Sequence, residues 1–184
     1  MKKFTKGFTL IELLIVIALL GALAVGLLAA LDPFEQLKKG TDTSIRNTTT
    51  ELQGAAVRYY GIKNYMPWCL SPACTTFRDT GDDDSSATGI SGSAWPNAIL
   101  EMEASGELKT GFSGIAGTGA MGKITIFGNS NGATPSIKVC YKPTAKSFIN
   151  DPNTKYVALT GAEAGAGICK GQGGTDLTCL WCVQ

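Results

Sequence analysis

Among its 184 residues the chain has no histidine. That absence removes the commonest general base, the Ser-His-Asp arrangement and the commonest metal ligand together. Charge is also sparse: 16 basic and 15 acidic residues make up 17% of the sequence and leave a net charge of +1. Such totals carry no electrostatic footprint for nucleic acid. The most localised absence is the most informative, because no residue from Leu13 to Leu31 is charged. Roughly 19 residues at ~1.5 Å rise make a helix about as long as the ~30 Å hydrocarbon core of a bilayer is thick.

What is present sharpens this. The basic hexapeptide MKKFTK precedes GFTLIELLIVIALLGALAVGLLAAL, Gly7 to Leu31, and one carboxylate, Glu12, stands inside the apolar run. An unpaired carboxylate there costs about 2.5–3.5 kcal/mol even on a lenient insertion scale, so something must compensate it. Lys6 lies almost against the run, whereas Asp32 and Glu35 are the first charges beyond it. Lys2, Lys3 and Lys6 on one flank face Lys38, Lys39 and Arg46 on the other, and the nearer charges set the expectation of a cytoplasmic N-terminus with the rest outside.

The segment KGFTLIELL resembles the cleavage and methylation motif of type IV pilins and type II secretion pseudopilins. The resemblance implies that a prepilin peptidase cuts after Gly7 and that the new first residue, Phe8, is N-methylated. It implies that Glu12 pairs with the terminal amine of a neighbouring subunit during assembly. Within one chain the Phe8 amine is the alternative partner, four residues before Glu12 on one helical face. The implied partners are identical or related pilins, the peptidase, an inner-membrane assembly platform with its ATPase, and membrane lipid before assembly. The implied product is a pilus or pseudopilus subunit, major or minor, and not an enzyme. Weaker similarity continues through YYGIKNYMPW and SGELK.

A secretory signal peptide is the plainer reading, with Ala22-Leu23-Ala24 as an A-x-A-like cleavage site. A membrane-anchored protein is another, and a secreted or tethered disulfide-rich binding domain a third. None of them accounts for Glu12.

The expected organisation is a leader at 1–7, a membrane and assembly helix at 8–31, an amphipathic helix at 32–61 and a globular head at 62–184. Asp32 can cap a new helix that Pro33 opens and Glu35 supports, so the apolar helix is interrupted or kinked there. The resemblance assigns Pro33 a part in assembly. Phe34, Leu37, Thr41, Ile45, Thr48, Leu52, Ala55 and Tyr59 recur at three- and four-residue intervals and form the face expected to pack on the head. Thr48, Thr49 and Thr50 weaken the intrinsic helix, so packing must hold it. Gly61 is the expected stop.

In the head, Trp95-Pro96 opens a helix expected over 97–105 with Gly106 as its C-cap. Runs 123–127, 136–141, 155–159 and 178–183 read as strands, with Pro143 and the 150–153 cluster in a hairpin connection. The fold class is therefore α+β: a long N-terminal helix on a small antiparallel sheet, as in pilins. GTGAMG, residues 117–122, matches G-x-G-x-x-G but runs into a strand rather than a helix, and reads as a flexible loop.

Six cysteines on an exported chain point to disulfides. The short gap favours Cys69 with Cys74. The remaining four allow three connectivities, with Cys169–Cys179 and Cys140–Cys182 leading. A zinc site and a redox C-x-x-C at Cys179 and Cys182 are the rivals. No cofactor is expected. Asp79, Asp82, Asp83 and Asp84 could offer calcium oxygens, Asp82 and Asp84 foremost, yet the loop lacks the EF-hand offsets and reads as solvated.

Overall fold

A computed structural model describes residues 7–30, 32–74, 90–91, 96–129, 135–158 and 161–184. The chain divides into two compact units, one ending at Leu37 and the other running from Lys38 to Gln184.

The first unit holds helix α1, Leu10–Ala30, and the opening of helix α2, Pro33–Lys63. Every side chain described from Leu10 to Leu28 is exposed, and this stretch is long and apolar enough to cross a membrane. The Glu35 backbone N–H donates to Asp32 Oδ1 at 3.2 Å, so Asp32 caps α2 with Pro33 as its first residue.

In the second unit α2 packs on one face of a five-stranded antiparallel sheet. Its strands are β1 (Ile90–Ser91), β2 (Ile124–Asn129), β3 (Ser136–Tyr141), β4 (Thr154–Tyr156) and β5 (Leu180–Val183), in the order β1-β2-β3-β5-β4. Alternation along the strands makes two apolar layers. Ile124, Ile126, Ile137, Val139 and Tyr141 meet Ile45, Leu52, Ala55, Ala56 and Tyr59 of α2, together with Ala98, Ile99 and Met102 of helix α3, Pro96–Ala104. Phe127, Cys140, Tyr156, Leu180 and Cys182 form a smaller cluster.

Several expectations need correction. The chain between β3 and β4 is no hairpin: it contains helix α6, Lys146–Ile149, and β5 inserts between the two strands. GTGAMG is not a loop. It contributes the end of a pair of short helices, α4 (Phe112–Ala116) and α5 (Thr118–Met121), held down by the buried side chains of Phe112 and Met121. Helix α2 runs past Gly61 to Lys63 and gives way at Asn64, whose φ of 59° is left-handed. Gly106, with φ of 82°, does follow the end of α3.

The spine face is the most instructive correction. Within the second unit Thr41 is exposed, and Asp42 and Thr49 are buried among the apolar side chains instead, while Phe34 and Leu37 belong to the first unit. The Thr49 hydroxyl donates to the Ile45 carbonyl at 2.7 Å, and Thr48 and Thr50 bond back to Ser44 and Arg46 in the same way, which lets three threonines sit in the helix. Asp42 accepts from the Thr144 and Ala145 backbone N–H groups at 2.7 Å each and from the Thr144 hydroxyl at 2.8 Å. One turn on, Arg46 pairs with Asp151 at 3.1 Å and lies 4.1 Å above the Trp181 ring and 5.2 Å above Phe148. The two residues thus fasten both ends of α6 to the spine. Burial, partly offset by the Arg46 charge, pushes the Tyr141 phenol beside them up to about 12.

Asp42→Ala leaves two backbone donors without their acceptor, at about 1–3 kcal/mol for each one left buried. The variant should melt about 10 °C below the unaltered chain in detergent. A shift under about 2 °C by circular dichroism would show that the clamp contributes nothing to stability.

All six cysteines are paired, as Cys69–Cys74, Cys140–Cys182 and Cys169–Cys179, so Cys179 and Cys182 are bonded to different partners and not to one another as a C-x-x-C disulfide. Cys140 and Cys182 are direct partners across β3 and β5. Their link spans 42 residues, for which chain entropy predicts about 4 kcal/mol. The Cys169–Cys179 loop backs closely onto the 150–151 turn, where a Cβ on Gly171 would collide with the Asp151 carbonyl.

Candidate functional site

The residues singled out at the N-terminus lie together at the start of α1. Residues 7–9 are not helical, and Leu10 is the first helical residue. The Thr9 carbonyl accepts from the Leu13 N–H at 3.3 Å, the first intrahelical bond, so Thr9 is the N-cap.

Its side chain and that of Glu12 close on each other. The Thr9 backbone N–H donates to Glu12 Oε2 at 2.9 Å, the Thr9 hydroxyl donates to the same oxygen at 2.8 Å, and the Glu12 N–H donates to Thr9 Oγ1 at 3.3 Å. This is a reciprocal capping box. In the uncleaved chain, then, the compensation for Glu12 comes from Thr9. In the uncleaved chain Phe8 stands outside the helix. Both contacts from Thr9 go to Oε2, and Oε1 has no partner among the described residues.

Thr9 is the functional residue that sequence reasoning missed. Its signal was legible, since Thr9-Leu10-Ile11-Glu12 has the T-x-x-E spacing directly before an apolar run.

Gly7 and Phe8 are exposed, Phe8 to 80%. A Cβ built on Gly7 would meet nothing within 4 Å, so the fold itself places no demand for glycine there. Pro33 is not brought to this site: the 21 residues of α1 at ~1.5 Å each put about 30 Å of helix between them. The six cysteines belong to the other unit. Asp82 and Asp84, with the rest of the acidic loop, lie outside the described residues, and among those described no cluster of acidic or cysteine side chains could hold a metal.

The head offers a cleft of about 290 Å³ lined by residues including Gln53, Val57, Tyr60, Met66 and Ile137. Ser136 and Lys138 also line it, and the Lys138 ammonium donates to the Gly161 carbonyl at 3.1 Å. Burial, and then hydrogen bonds with Tyr65 and Glu101, raise the Tyr59 phenol above its ordinary range, which keeps it a neutral core donor to Glu101 at 2.9 Å.

No curated protein and no solved structure gives a significant match to the chain. Residues 2–28 match the family model described as the prokaryotic N-terminal methylation motif. That stretch takes in Lys2, Lys3, Lys6, Gly7, Phe8, the capping box and nearly all of α1. With an apolar helix, a long second helix and a small antiparallel sheet following in that order, the chain carries the signature and the layout of type IV pilins and pseudopilins.

Proposed function

We propose that this chain is a prepilin: a structural subunit of a type IV pilus or related pseudopilus, cut after Gly7, N-methylated on Phe8 and polymerised through α1. The observation that carries this is a helix with every side chain from Leu10 to Leu28 exposed and apolar except Glu12. Such a surface must be covered by lipid or by other helices. A single carboxylate at its N-terminal end gives a packed bundle of copies a way to register.

Before assembly the chain sits in the cytoplasmic membrane with its head outside. Residues 1–7 act as leader, 8–31 as anchor and assembly helix, 32–61 as the spine and 62–184 as the head. Its partners are the peptidase, identical or related pilins, and the inner-membrane platform with its ATPase. Filament packing replaces lipid at the end. The type II pseudopilin and minor pilin roles are variants of the same chemistry. The subunit needs no cofactor and performs no catalysis.

Mass spectrometry of the mature N-terminus tests this directly. Loss of residues 1–7 with one added methyl is expected. Loss of residues 1–24 would instead make the run a signal peptide and the head a secreted disulfide-rich domain.

A further inference from the structure

Hydrolysis after Gly7 adds water across the Gly7–Phe8 peptide, leaving a carboxylate on Gly7 and an ammonium on Phe8. The bond must be reachable for that. A helix continued backward from the apolar run would tie the Phe8 and Thr9 N–H groups into hydrogen bonds to residues four before them. Exposed, irregular backbone is where proteolysis concentrates. The structure stops the helix at Leu10 and leaves residues 7–9 outside it. What stops it is the pair of Thr9 and Glu12, each satisfying a backbone N–H of the other. Phe8 occupies the position from which an apolar residue can staple down onto Leu13, yet it is 80% exposed and Leu13 is 59% exposed.

We propose that Thr9 is a positioning residue for leader removal: its capping box with Glu12 fixes the helix start at Leu10 and so presents the Gly7–Phe8 bond as accessible, non-helical chain. This rests on the prepilin assignment made above. It gives Glu12 two separable tasks, because the box uses Oε2 and leaves Oε1 open among the described residues. An incoming ammonium can take the second oxygen without undoing the cap.

The test follows leader loss over time in membranes that hold the full-length chain and a prepilin peptidase. Thr9→Val keeps the shape and the β-branch but removes the acceptor for the Glu12 N–H, and cleavage should slow about fivefold, the factor expected for a lost N-cap. Thr9→Ser and Thr9→Asn supply good caps of different shape and should stay within about twofold of the unaltered chain. Glu12→Gln keeps the box and should be cleaved as fast.

Cleavage of Thr9→Val at the unaltered rate would overturn the proposal. So would rescue by Thr9→Ser but not by Thr9→Asn, since the peptidase would then be reading the hydroxyl itself. Alkaline extraction of the membranes, in which the more apolar Thr9→Val must remain inserted, separates slow cleavage from failed insertion. An unaltered chain that never loses residues 1–7 would defeat the prepilin assignment instead.

Discussion

A chain carrying Glu12→Ala should enter the membrane and still lose residues 1–7, yet build few or no filaments. Insertion improves if anything, because the substitution removes a carboxylate whose cost in the apolar core is about 2.5–3.5 kcal/mol. Cleavage survives because the Thr9 hydroxyl can still accept from the backbone N–H of residue 12, so half of the box persists. Assembly is where the loss falls. An ammonium on Phe8 of an incoming subunit needs a counter-charge in a low-dielectric bundle, and a partner removed from a buried pair typically costs 3–5 kcal/mol. At about 1.4 kcal/mol per tenfold, that is 100-fold or more per contact, repeated at every subunit added. Glu12→Gln should share the defect although its capping box is intact, which assigns the effect to charge. Immunogold counting of filaments settles it: normal number and length in Glu12→Ala would end the view of this residue as a register device.

Gly7→Leu should leave the leader attached in essentially every molecule. Gly7 is exposed and outside the helix, with nothing within 4 Å of a built Cβ, so the chain itself accommodates the larger residue. On the proposed reading, the demand for a residue without a side chain comes from the peptidase cleft. Uncut molecules would keep the lysines of the leader on the cytoplasmic side and lack the Phe8 ammonium that Glu12 awaits. They should collect in the membrane, heavier by residues 1–7, with no filaments. Mature protein of normal mass from the Gly7→Leu chain would move the cleavage site elsewhere.

How far the sequence alone reaches is best seen at particular residues. The apolar helix was legible because an uncharged run of that length, Leu13 to Leu31, suits a helix long enough to cross a bilayer. The Cys69–Cys74 bridge was legible because the gap between the two residues is short. The box at Thr9 was equally visible, but Glu12 had been accounted for by an intermolecular partner and its own neighbour was passed over. The spine misled for a different reason. Helical periodicity admits Thr41 and Asp42 alike, four and three residues before Ile45, and polarity then favours the threonine. The Asp42 carboxylate is buried because two backbone N–H groups more than 100 residues away need an acceptor, a demand set by tertiary structure. The same applies to the sheet: β-propensity finds strands but carries no information on β5 lying between β3 and β4.

That insertion of β5 has a bearing on the order of events at the membrane. Among the described residues, β5 is the one strand beside β4, so β4 joins the rest of the sheet through β5. The head therefore has high contact order at its centre, and strands 42 residues apart at Cys140 and Cys182 must meet before the sheet is whole. If, as proposed, the head lies outside the membrane, a chain threaded outward from its N-terminal anchor cannot complete this domain piecemeal. Until Val183 has emerged, β3 and β4 both present unpaired edges to the exterior, the condition in which strands pair with the wrong chain. The anchor, already seated, tethers each such head to its own patch of bilayer and keeps neighbouring unfinished heads dilute. On that reading the Cys140–Cys182 bond acts as a latch that can close only once translocation is finished.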